Sequence, residues 1–383
     1  MKRLVFATGL VLAVFGGVLP AAAAPTAPTA TVVMSGLDNP RGLAFGSNGA
    51  LYVAESGRGG PAPCQTLRGA VQCYGPSGRI SRLWHGVTSH VVTGLPSYIT
   101  TTGPDTGSAT GPHDIAVHGR HGVITIGWGD NPALRNTPPS AVWQQFGHLA
   151  SVNLKHNRWK LGLDISAYEA AANPDHGAVD SNPYGILKRH GRLLVTDAGG
   201  NDLLQVSRGD DNDDEGDNDH QGGNGSSIST VAVFPSRSTT PQHSSCVFPG
   251  FPPFTDSVPT SVTVGPDGAY YVGELTGAPF CAGNANVYRV VPGHAPTVYC
   301  GGFTTIIDLT FGPDRKLYVA QHSNGPVFFG SPGDVVRVGP GCSKTPVTPP
   351  LNRPGSLAFG PNGKLYVSVN ANQAGTGQVV RID

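Results

Sequence analysis

The sequence predicts an all-β fold, a six-bladed β-propeller closed by an N-terminal strand that completes the last blade. Three observations lead there. One hairpin pattern recurs six times. Its last copies fall at the spacing of a four-stranded blade. The chain then ends one strand short of a sixth sheet, and a matching strand stands near its start.

The clearest copy is RPGSLAFGPNGKLYVSV (Arg353–Val369), a short apolar run, a Gly-Pro-Asn-Gly turn, then Leu365, Tyr366 and Val367. Period-two apolar runs around an Asn-Gly that accepts positive φ form a hairpin signature. The other copies are Asn39–Ser56, Gly111–Trp128, Asn182–Ala198, Val258–Leu275 and Thr305–His322, so blades start near residues 39, 111, 181, 258, 305 and 353. From Val262 to Leu309 and from Leu309 to Leu357 the chain advances 47 and 48 residues, one blade each. From Leu43 to Ile115, Ile186 and Val262 the steps are 72, 71 and 76 residues, a blade plus insertions.

Third strands are expected at Arg79–Leu83, His148–Leu154, Leu203–Ser207, Val287–Val291, Val335–Val338 and Gln378–Ile382. Fourth strands are expected at His90–Thr93, Thr230–Phe234 and Thr297–Cys300. The sixth blade has only three strands before Asp383, and Thr31–Met34 is available as its fourth. Strand exchange between the chain ends would remove the exposed edges of an open sheet.

Composition agrees with a turn-dense β protein. Among 383 residues, 54 Gly and 34 Pro fall between apolar runs, and only 13% are charged. The formal net charge is zero, which gives no reason to expect nucleic acid as a partner. Met1–Ala24 reads as a signal peptide, with Lys2 and Arg3 ahead of an apolar run and Ala21–Ala24 as cleavage patch; residues 25–383 are then the exported propeller, with no later membrane span. Six cysteines in an exported chain favour disulfides, and they allow 15 pairings. Proximity suggests Cys64–Cys73, Cys246–Cys281 and Cys300–Cys342; no CxxC pair supports thiolate metal binding.

Name the strands of a blade A to D from the axis outward. The A–B turns are all short, whereas nearly every long insertion is a B–C or D–A loop, and these emerge on the opposite face. Function concentrates on long loops held by a rigid scaffold, so that face is the expected binding surface. One such loop, Ser166–Pro174, reads as a short helix capped by Ser166 and carrying Glu169.

On that face the residue starting strand A meets the one ending strand B. The expected ring about the axial tunnel is Arg41 with Glu55, His113 and Asp114 with Trp128, Tyr184 with Asp197, Thr260 with Glu274, and Asp308 with Gln321. Carboxylates, one His and one Arg at a funnel mouth suit a polar ligand or a divalent metal such as calcium. The same residues also allow a structural reading, in which Arg41–Glu55 is an ion pair and Asp197 and Glu274 accept backbone N–H bonds. His113 precedes strand A, where its imidazole would reach the tunnel as base or ligand or be a hydrogen-bonded structural His.

The acidic tract Asp210–Asp219 lies in an insertion (209–225) between strands C and D of the third blade, on the plain face. Asp211, Asp213, Glu215 and Gly216 follow the start of a calcium loop, but Gly222 stands where the bidentate Glu belongs. A solvated acidic loop is the expectation. No GxSxG, HExxH, Gly-Lys phosphate loop or dinucleotide fingerprint follows a strand.

Nearly the whole exported chain resembles the ScyD/ScyE family of exported bacterial proteins. The resemblance rests on GLDNPRGLAFG (Gly36–Gly46), SNPYGIL (Ser181–Leu187), STVAVFPSR (Ser229–Arg237), SVPTSVTVGPDGAYYVGELTG (Ser257–Gly277) and Asn286–Asp314. It implies a secreted propeller related to NHL repeats and supplies no catalytic set. More distantly the hairpins are similar to gluconolactonase-type propellers, which hold a divalent metal at the tunnel mouth, and to soluble quinoprotein glucose dehydrogenases, which use a His base with pyrroloquinoline quinone and calcium. Arg41 stands where a lactonase-like site would favour an acid, and only Gly111–Asp130 suggests the dehydrogenases. The expectation is a secreted propeller binding a small-molecule or protein ligand on its long-loop face, with no recognisable catalytic motif. The alternative is a metal- or quinone-dependent enzyme of lactonase or sugar dehydrogenase type acting on a small sugar-like substrate.

Overall fold

The computed structural model describes residues 28–207, 226–238, 254–325 and 330–383. The expected Met1–Ala24 signal peptide, the acidic tract and Cys246 lie outside the described residues. Six antiparallel four-stranded meanders stand around one axis, and each innermost strand packs against the innermost strands of both neighbouring blades.

The first blade comprises Pro40–Phe45, Leu51–Glu55, Ala70–Trp84 and Val87–Thr100. The second comprises Pro112–His118, His121–Ile126, His148–Asn153 and Arg158–Asp164. The third runs Pro183–Arg189, Arg192–Asp197, Asp202–Ser207, Ser227–Val233. The fourth runs Pro259–Val264, Tyr270–Glu274, Ala285–Val290, Thr297–Phe303. The fifth holds Ile306–Phe311, Leu317–Gln321, Asp334–Val338 and Lys344–Pro346. In the sixth, Ser356–Phe359, Leu365–Val369 and Gly377–Ile382 are joined by Ala30–Leu37, which pairs antiparallel with Gly377–Ile382. The ring is closed by strand exchange, as the repeat arithmetic expects.

The core is a circle of wedges. Each of six apolar clusters lies between two adjacent blades, and none sits on the axis. A strand's two faces therefore serve different wedges, which explains runs buried throughout such as Leu51–Glu55. Met34 and Leu37 of the closing strand pack with Leu43, Leu51 and Val53 of the first blade. The N-terminal segment thus supplies core as well as backbone pairing.

In the first blade the third and fourth strands extend past the sheet on the long-loop face and take up Cys64–Leu67 as an extra strand. Cys64 and Cys73 are register partners there and form a disulfide; Cys300 and Cys342 form a second, linking the fourth and fifth blades. The helix expected near Ser166 is Ile165–Ala172, capped by Asp164, whose side chain accepts the Ala167 N–H at 2.9 Å. Ser166 instead turns inward and donates to Ser181 Oγ. Among the described residues no helix is long and apolar enough to cross a membrane.

Candidate functional site

The first residues of strand A bring five of the expected side chains to the axis. Arg41, His113 and Tyr184 occupy equivalent places in the first three blades, and Asp114 and Asp308 stand one residue further along their strands. With Gly42, Thr260 and Ser356, four of these (His113, Asp114, Tyr184 and Asp308) line an axial cavity of about 10 Å³, room for one water.

The axial carboxylates are blade fasteners. Asp114 accepts the N–H of Ile115 at 2.8 Å and, across the blade junction, that of Ile186 at 2.9 Å. Asp308 does the same between the fifth and sixth blades, accepting Leu309 N–H, Leu357 N–H and the Ser356 hydroxyl. Burial, with Asp308 adding repulsion, pushes Asp114 up to about 8; burial pushes Asp308 up to about 6.

Above them the mouth is basic and rich in neutral donors and acceptors. Arg41 is 9% exposed and donates to Ala109 O at 3.1 Å, while its Nε has no partner. Tyr184 stacks on His113 with ring centroids 4.5 Å apart, and its phenol oxygen is buried beside the Arg41 guanidinium. His113 Nδ1 lies 3.2 Å from Pro183 O, so it carries the proton and leaves Nε2 as acceptor. Burial first, then Arg41, lowers His113 to about 3, so the imidazole is neutral at ordinary pH. His322 repeats the arrangement, with Nδ1 2.8 Å from Pro354 O and the same depression to about 3. Sequence reasoning stopped at Gln321 and missed it, although the repeat register puts His322 at the end of a strand B.

The other expected ring members turn away from the axis. Glu55 is fully buried and accepts Asp38 N–H at 2.6 Å, Arg79 at 2.7 Å and the Ser81 hydroxyl. The Arg41–Glu55 ion pair is therefore corrected to Arg79–Glu55. Asp197 accepts N–H groups from Asn182, Gly199 and Gly200 and the Ser181 hydroxyl. Glu274 holds Arg237 at 2.6 Å, the Ser257 hydroxyl and the Asn286 N–H. Gln321 takes the corresponding role in the fifth blade, accepting Thr304 N–H at 2.9 Å. The reason is shared: a residue ending strand B faces its own blade's incoming chain, whose N–H groups have no ladder partner. Trp128 is buried with Trp143, Phe146 and Tyr98 in the wedge between the first two blades.

A divalent metal does not fit this axis. Both carboxylates there are committed to backbone N–H groups and Arg41 adds a positive charge. Among the described residues, no group of three His, Cys, Asp or Glu side chains is arranged to hold a metal. A wider cleft of about 740 Å³ flanks the second blade over Asn136, Gln144, His148 and Asp164. Its charged floor is closed on itself, with Arg135 held by Asp164 at 2.9 Å and by Phe146 O at 2.8 Å.

No protein-family model matches the chain, and no curated protein matches it. Solved structures do share its fold. A Thermus thermophilus protein, provisionally assigned as an oxidoreductase (glucose dehydrogenase), aligns over 93% of this chain and 100% of its own, with TM-score 0.51 and 16% identity. The soluble aldose sugar dehydrogenase of Escherichia coli aligns over 93% of this chain and 99% of its own, with TM-score 0.51 and 12% identity. Regucalcin of Agrobacterium tumefaciens, a calcium-binding protein, covers 92% of this chain and 93% of its own, with TM-score 0.50 and 12% identity. At such identities the likeness establishes the six-bladed fold and stops there.

Proposed function

We propose that the chain is an exported binding propeller that takes a small hydroxylated acid at the mouth of its axis, on the long-loop face. The observation that carries this reading is the meeting of Arg41, His113 and Tyr184 there, with Arg41 Nε buried and unpartnered. A buried polar atom without a partner costs roughly 1–3 kcal/mol, so a ligand that completes its bond gains correspondingly. Arg41 suits a carboxylate. Neutral His113 and His322 offer Nε2 acceptors to hydroxyl groups, which an imidazolium would not. Asp114, raised to about 8, adds little negative charge beneath the site, so the carboxylate charge there is mainly that of Asp308.

Two disulfides among the described residues support an oxidising compartment, and with it the export read from Met1–Ala24. The ScyD/ScyE resemblance belongs to the same proposal. The enzyme reading finds less support, because the axial carboxylates are committed to backbone N–H groups and do not suit a divalent metal.

Thermal-shift titration with small carboxylates, sugar acids, neutral sugars and lactones tests the proposal. Sugar acids should raise the melting temperature of the wild type, and Arg41→Ala should lower affinity roughly 100-fold, the loss of a charge-assisted hydrogen bond. A response to neutral sugars alone, or one unchanged in Arg41→Ala, would contradict it.

A further inference from the structure

We propose that Arg68 is a second cation of the axial mouth, so that the hydroxylated acid bound there carries another anionic group at its far end. Provided that the mouth takes an acid, as proposed above, the ligand narrows to a hydroxylated diacid.

Arg68 stands at the tip of the extra hairpin of the first blade, on the long-loop face. Leu67 and Ala70 are register partners, which leaves Arg68 and Gly69 as a two-residue turn with φ 49° and 75°. Positive φ at both places makes a type I′ turn, whose first position favours Asn, Asp or Gly. An Arg is strained there, and strain kept at a fixed place points to a use for the side chain. The place is fixed twice over. The Cys64–Cys73 disulfide joins the two strands of the hairpin, and the Arg68 N–H donates to Asp130 Oδ2 at 2.7 Å.

The side chain reaches the mouth across one short segment. A Cβ on Gly127 would lie 2.6 Å from His113 Nδ1, and a Cβ on Gly129 would lie 2.8 Å from Arg68 Nη1. Two residues of chain span at most about 7 Å, so the imidazole and the guanidinium are neighbours. Burial and Arg41 come first in lowering His113, and Arg68 adds to them. Arg41 thus comes to the mouth from the innermost strand of the first blade, and Arg68 from its B–C loop.

The guanidinium is open to a ligand. It is exposed, donates from Nη2 to Tyr98 Oη at 3.3 Å, and enters none of the ion pairs among the described residues. Asp180, Asp130 and Asp105 act on it at longer range, and Asp130 commits its two oxygens to the N–H groups of Arg68 and Asn131. The competing role is that of a counter-ion to those three acids. Against it stands the turn, since a counter-ion does not need the strained position. Guanidinium groups grip carboxylate or phosphate through paired bonds. Two of them beside the neutral His113 match an anion at each end of a hydroxylated chain.

The test is titration calorimetry with gluconate, glucarate and the phosphate ester of gluconate, one carbon skeleton ending in a hydroxyl, a carboxylate or a phosphate. The wild type should bind one of the two diacids roughly tenfold more tightly than gluconate, and the better of them identifies the second group. Arg68→Asn removes the cation and gives the turn its preferred Asn-Gly. It should melt no lower than the wild type, bind gluconate unchanged and lose the preference for diacids. Arg68→Lys, which returns a charge, should keep part of that preference. Arg41→Ala should weaken all three acids, which reports on the axial reading separately. Gluconate binding that depends on Arg41 with no preference for either diacid would overturn the role of Arg68 and leave the axial reading standing. A lower melting temperature in Arg68→Asn with the preference intact would make Arg68 a counter-ion and overturn it too. Failure of all three acids to bind would overturn both.

Discussion

Asp114 shows how one side chain serves architecture and electrostatics together. It sits on the axis because the equivalent place in the first blade is Gly42, where a Cβ would stand 2.1 Å from Asp114 Oδ1 and 2.6 Å from its Cα. Gly42→Ala should therefore force two inner strands apart and cost about 2–4 kcal/mol, measured by denaturant unfolding. The raised Asp114 also sets a pH dependence. An acid whose folded pKa lies above its unfolded value stabilises fully below the unfolded value, near 3.8, and loses that contribution as pH rises through about 8. His113 and His322 act oppositely, stabilising above 6.5 and losing it as pH falls toward 3. The wild type should thus melt higher at pH 6 than at pH 9. Asp114→Asn should narrow that gap, the rest belonging to Glu169, which is pushed up to about 8 as well, and to Asp202, which is raised well above the usual range. An unchanged gap would remove Asp114 from the account.

At the scale of strands and turns, the hairpins were legible because their period and turn residues follow from backbone sterics. Gly49, Gly268 and Gly363 all adopt positive φ in the A–B turns, and the fifth blade puts Arg315 in the equivalent place, at φ 59°. Arg315 is exposed, so Arg315→Gly should relieve strain and stabilise by about 1 kcal/mol, read as a small rise in melting temperature. Strands Arg158–Asp164 and Lys344–Pro346 escaped the reading, since outer strands face solvent on one side and show weak alternation. The inner-strand starts Arg41, His113, Asp114, Tyr184 and Asp308 were placed correctly about the axis. For Asp197 and Glu274 the structural alternative, acceptance of backbone N–H bonds, is the one found, and Glu55 pairs elsewhere than expected, because period alone says where a strand ends and not which way its last side chain turns. That direction depends on unpaired N–H groups contributed by another stretch of chain, such as Asp38 or Asn182.

For the whole molecule, closure matters most. Ala30–Leu37 lies at one end of the chain and Gly377–Ile382 at the other, and their pairing makes six wedges into one ring. A rigid ring lets loops gather on one face without cost to the core, and lets Arg41, His113 and Tyr184 meet although they lie far apart in sequence. Nearest-neighbour strand pairing made this architecture visible in the repeat spacing. The mouth's chemistry was less visible, because it depends on which polar atoms remain unpartnered once every backbone group has been served. The most direct measurement is a crystal structure of the protein grown with the best-binding sugar acid. The account predicts its carboxylate on Arg41 and its hydroxyl groups within hydrogen-bond distance of Tyr184 and His113. Density for the acid elsewhere, with none of it in contact with Arg41, would contradict it.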